Sequence, residues 1–60
     1  MRYVKLVSLY QMDMPRQERT VNEIFEKINR IGHIEKTQYV VSDVGNLKEV
    51  IIEYEGSEKI

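Results

Sequence analysis

Apolar residues fall in three different rhythms along the chain. Tyr3 to Tyr10 is dense in β-formers: Val4, Leu6 and Tyr10 share one parity, and Tyr3, Val7 and Leu9 share the other. Neither parity is cleanly polar, which suits a strand buried on both sides. Val21, Ile24, Phe25, Ile28 and Ile31 then recur at helical spacing, with Asn22, Glu23, Glu26, Lys27, Asn29 and Arg30 filling the opposite side. Ile34 to Ser42 and Leu47 to Glu55 return to strand character around Asp43-Val44-Gly45-Asn46, a turn composition. The order is βαββ.

The helix has written boundaries. Thr20-Val21-Asn22-Glu23 matches a capping box, in which hydroxyl and carboxylate satisfy two orphan backbone donors. Gly32 suits the left-handed residue that ends a helix. The segment Gln11 to Arg19 is the connection, with a frayed or 3₁₀ turn expected around Pro15 to Arg19 before a firm helix from about Thr20. Asp13 ahead of Met14-Pro15 is an alternative start, since proline is tolerated in the first turn. Glu23–Lys27 and Glu26–Arg30 are spaced to pair along the exposed side.

The hairpin loop has two or four residues. Both registers preserve side-chain facing, because they differ by an even number. Thr37, Tyr39 and Val41 share a face with Val50, Ile52 and Tyr54, and this face is assigned to the helix. Ile34, Lys36, Gln38 and Val40 share the reverse face with Glu49, Ile51, Glu53 and Glu55. The two-residue loop sets Lys36 opposite Glu55 and Val40 opposite Ile51. A right-handed crossover makes the first two strands parallel. The apolar run Val50-Ile51-Ile52 places the third strand in the middle. The expectation is an α+β domain spanning residues 1–60, one helix on a three-stranded sheet, with a frayed tail from Gly56 to Ile60.

Size sharpens this picture. A domain of 60 residues buries about 60% of the surface of its unfolded chain. Domains this small usually need disulfides, metal or oligomerisation. There is no cysteine, and His33 is the only histidine, so disulfides are excluded and a structural zinc site lacks ligands. Self-association remains. One helix covers one side of the sheet, and the reverse side carries an apolar patch of Ile34, Val40 and Ile51. Whichever first-strand pair points that way extends it, with Val4 and Leu6 preferred. Such a patch marks an interface.

Charge and chemistry narrow the function. Nine basic and ten acidic side chains argue against a nucleic-acid binder, despite four tyrosines. Tyr39 and Tyr54 are expected in the core with hydroxyls at the rim. No apolar run reaches the roughly 20 residues that span a bilayer, and no signal-peptide pattern opens the chain; cytoplasmic residence is expected. His33 follows the helix-ending glycine, where a cation is mildly favoured. No nucleophile has a base and an orienting partner, so no enzyme and no cofactor is expected. A second candidate site lies at Tyr10, Arg16, Arg19 and Thr20. Helix N-terminal amides and two arginines there suit a phosphate-bearing ligand, with Tyr10 stacking on its ring; Glu18 and Asp13 partly cancel the charge.

Val4-Lys5-Leu6, Val21-Asn22-Glu23-Ile24-Phe25, Gln38-Tyr39-Val40 and Ile51-Ile52-Glu53-Tyr54 together resemble a family of small sporulation-associated proteins of endospore-forming bacteria and their phages. Met12 to Thr20 departs from that pattern. The resemblance implies the βαββ fold and assigns no activity. Its phage side implies two roles, inhibition of a host protein or sequestration of a signalling nucleotide held between protomers by Arg16 and Arg19. The reading is a non-enzymatic homo-oligomer acting on a protein target, with nucleotide sequestration as the alternative.

Overall fold

The computed structural model describes residues 1–45 and 47–60. The elements run β1 (Arg2–Ser8), α1 (Met14–Ile31), β2 (Gly32–Val41) and β3 (Leu47–Gly56). The sheet order is β1-β3-β2, with both outer strands antiparallel to the central third strand. The expected α+β arrangement, one helix on a three-stranded sheet, is what forms. Asn46, part of the expected turn, lies outside the described residues.

From Lys36 to Val40 pairing follows the register of the longer loop, and a second shift between Val40 and Val41 then sets Val41 opposite Leu47. Lys36 lies opposite Glu53, Gln38 opposite Ile51 and Val40 opposite Glu49, not Lys36 opposite Glu55 and Val40 opposite Ile51. A Gly45 N–H bond to the Ser42 carbonyl (2.9 Å) closes the turn there, with Gly45 at positive φ.

One face assignment is overturned. The register slips between Ile34 and Lys36, leaving Glu35 as an extra residue. That bulge rotates Ile34 onto the helix side, opposite Tyr54, where it packs against the core. Ile34 is therefore not part of the reverse-face patch.

The helix begins at Met14, not Thr20. Asp13 caps it by accepting the Arg16 N–H at 3.0 Å, and Pro15 sits in the first turn. The Gln17 amide ties the entrance further by donating to the Met12 carbonyl at 3.0 Å. Thr20 is consequently interior to the helix, and its hydroxyl points at the Met12 sulfur, 3.7 Å away. A strong cap beside a proline outcompetes the Thr20–Glu23 pattern because it adds helical turns at small cost.

Gly32 also differs from expectation. Its φ of 174° is extended, not left-handed, and it opens β2 with no intervening loop. Glycine is needed there for another reason. A Cβ would stand 1.7 Å from the Glu55 carbonyl oxygen and 2.8 Å from the Gly56 Cα. The helix exit thus rests directly on the backbone of the central strand.

The core is small. Val7, Leu9, Ile28, Val50, Ile52 and Tyr54 are buried, and Val21, Ile24, Phe25 and Ile31 are partly buried against them. Tyr54 is in the core as expected. Its hydroxyl accepts the Ile60 N–H at 2.7 Å, and its ring lies 5.5 Å from that of Tyr3. Tyr39 is not core; it is 58% exposed. The tail expected to fray makes contacts with the domain. Ser57 N–H donates to the Ile31 carbonyl, Gly56 N–H to the Met1 carbonyl, and Ile60 packs on the core.

Two stability predictions follow from these junctions. Gly32→Ala is expected to cost at least about 3 kcal/mol, because the clash is with backbone that cannot rotate aside; urea denaturation measures it. Asp13→Ala is expected to cost about 1 kcal/mol as a lost cap. Thr20→Ala should cost clearly less, and a reversed order in thermal melts would place the helix start back at Thr20.

Candidate interaction surfaces

Two apolar surfaces remain on opposite sides of the sheet. The first is the open face. Val4, Leu6, Ile51 and Val40 lie on it, as expected, because Val4, Leu6 and Val40 pair with Glu53, Ile51 and Glu49, which alternate along β3 with the buried Val50, Ile52 and Tyr54. Val4 and Leu6 are more than half exposed. The rest of this face is polar, with Glu49, Glu53 and Glu55 along the central strand and Arg2, Lys36 and Gln38 on the outer strands.

The second surface is a groove of about 1040 Å³ under the N-terminal half of α1. Its walls are the helix side chains Met14, Val21 and Phe25, the strand residues Tyr39, Val41 and Leu47, and the turn Leu9 to Met12. Tyr10, Met14, Tyr39 and Val41 are each more than half exposed. Asp13 and Glu18 stand on the helix side of the groove and Lys48 on the strand side. The groove exists because helix burial fades toward its start: Ile28 is fully buried, Phe25 and Val21 partly, Met14 not at all. The sequence signalled Val21 and Phe25 as core together with Ile28, since their helical spacing is the same whether the helix is pressed down or raised.

The turn entering the groove is strained. Met12 N–H donates to the Leu9 carbonyl at 3.3 Å, and Gln11 has φ of 58°. A positive φ at the third residue of a turn favours glycine, yet glutamine holds it. The turn aims Tyr10 outward and returns Met12 toward the core.

The expected ligand constellation is not assembled. Tyr10 lines the groove, whereas Arg16, Arg19 and Thr20 do not. Arg16 and Arg19 each follow a groove residue, Met14 and Gln17, by two positions, which turns them about 200° round the helix. The first-turn amide that would greet an anion is already given to the Asp13 carboxylate. Thr20 is half-buried beside Met12. His33 pairs with Glu35 at 2.6 Å on the exposed edge of the sheet. Among the described residues no group of three or more histidine, cysteine or acidic side chains is placed to hold a metal ion, and no helix is long and apolar enough to cross a membrane.

Comparison of the chain with protein-family models, curated proteins and solved structures returned no match. The functional reading therefore rests on the two surfaces.

Substituting a β-branched residue at Gln11 tests the turn. Gln11→Val is expected to lower stability by about 1 kcal/mol, since branched side chains resist positive φ. Gln11→Gly should be at least neutral, and differential scanning calorimetry separates the two.

Proposed function

We propose that this protein is a non-enzymatic interaction module, acting as a homo-oligomer on a protein target, with the groove under α1 as the target's seat. The observation that carries this reading is the position of Tyr39 and Val41. Both face the helix side of the sheet, yet both are more than half exposed. Aromatic and aliphatic side chains held open beside a helix offer anchor pockets for a partner's apolar residues. A polar rim of Asp13, Glu18 and Lys48 surrounds them, which is the usual anatomy of a transient protein interface. β2 is also an edge strand, so an extended segment of the target gains backbone hydrogen bonds along it. Sequestration of a phosphate-bearing nucleotide has less support, because the two arginines sit outside the groove.

The double variant Tyr39→Thr, Val41→Thr keeps β-forming residues and removes the anchors. Its stability is expected to stay within about 0.5 kcal/mol of the parent, as for other surface changes. In affinity capture from cell extract, a specific partner held by the parent should be lost by the variant. Equal capture by both chains would remove the groove from the interface. A melting-temperature rise with nucleotides, abolished by Arg16→Ala with Arg19→Ala, would restore the sequestration reading.

A further inference from the structure

The open face of the sheet supplies its own complement. Three register rows cross it: Ser8–Glu49–Val40, Leu6–Ile51–Gln38 and Val4–Glu53–Lys36. Val4, Ile51 and Val40 therefore lie on one diagonal, with Leu6 beside it. Polar residues divide to its two sides. Ser8 and Glu49 are on one, and Gln38, Lys36 and Glu53 are on the other.

We propose that a second copy of this chain covers the open face, related by a two-fold axis that runs along the Val4–Ile51–Val40 diagonal. The inference rests on the oligomeric part of the proposed function and adds to it the surface and the symmetry. A rotation about this line stacks the diagonal on itself and exchanges its flanks. At these strand spacings Glu49 comes near the other copy's Gln38 and Leu6 near the aliphatic stem of the other copy's Glu53, each offset by roughly 3 Å in plane, and Ser8 comes within reach of the long side chain of the other copy's Lys36. A carboxylate meets an amide donor, a hydroxyl meets an ammonium, and like charges stay apart.

Three other lattice directions through Ile51 fail on charge. An axis along β3 sets Glu49, Glu53 and Glu55 each on its own copy. An axis perpendicular to the strands sets Glu49 on Glu53. The opposite diagonal sets Lys36 on Lys36. Like charges directly opposed destabilise an interface, so one axis of the four is compatible with the charges on this face. Strands about 4.8 Å apart, with alternate residues about 6.8 Å apart, put that diagonal about 35° from the strand direction. The two sheets then cross at about 70°, close to the orthogonal class of sheet packing. This face suits a copy of itself better than a foreign protein, because the complement needed on either flank is already encoded on the opposite one.

The absence of cysteine makes the test clean. Sedimentation at micromolar concentration should give a dimer for the parent. It should give a monomer with unchanged circular dichroism for Leu6→Glu, since Leu6 is 69% exposed in the single chain. A Ser8→Cys chain co-refolded with a Lys36→Cys chain should cross-link through a short bismaleimide, while either chain alone should not. A monomeric parent overturns both this inference and the oligomeric reading beneath it. A dimer that survives Leu6→Glu, or that cross-links Ser8→Cys to itself, keeps the oligomer and overturns this face and axis.

Discussion

The contact of Gly32 with the Glu55–Gly56 backbone fixes the disposition of everything else. Because α1 passes into β2 without a loop, the helix cannot choose its angle to the sheet freely. Its C-terminal end is held at backbone distance from the central strand. Ile28 is pressed into the core there, and the Ser57 N–H joins the Ile31 carbonyl at the same corner. Toward the other end the turn at Leu9 to Met12 holds it, Phe25 and Val21 pack partly against the core, and Met14 stands out of it. The groove is the consequence of a helix anchored firmly at one end.

How much of this was legible in the sequence depends on the range of the interaction involved. The helix, the strands and the central place of β3 were legible because periodicity and the Val50-Ile51-Ile52 run are local signals. The helix start was not legible, because two capping patterns compete and the outcome turns on the fit of Pro15 behind Asp13. Gly32 was identified as special for the wrong physical reason. Its requirement comes from a strand 23 positions away (55 − 32), which no local pattern encodes. The facing of Ile34 was lost to a single bulge residue. Of the candidate site residues, Val4, Leu6, Val40 and Ile51 do share a face, since alternation survives any even register change. Arg16 and Arg19 were grouped with Tyr10 by sequence proximity, and the earlier helix start turned them away.

The two surfaces divide the labour that one small core leaves undone. Six buried apolar residues are few for a domain near the lower size limit. In the proposed dimer, association of copies would add stability by mass action, on the face that the helix does not reach. The groove lies on the opposite side of the sheet, so a dimer through the open face leaves both of its grooves accessible. Two seats on one particle raise the effective concentration for a target that is itself multimeric.

The Glu35 bulge shows how finely this division is set. In unbroken alternation Ile34 would share the side of Lys36, Gln38 and Val40, widening the apolar area of the open face and setting Glu35 rather than an apolar side chain opposite Tyr54. The extra residue moves Ile34 into the core and brings His33 opposite Glu55 on the open face. The open face is left with a narrow diagonal of apolar side chains bordered by charge, rather than a broad hydrophobic sheet. A broad patch would accept many partners in many orientations. A narrow stripe with distinct flanks has one orientation in which its charges agree, and orientation is what separates specific assembly from aggregation.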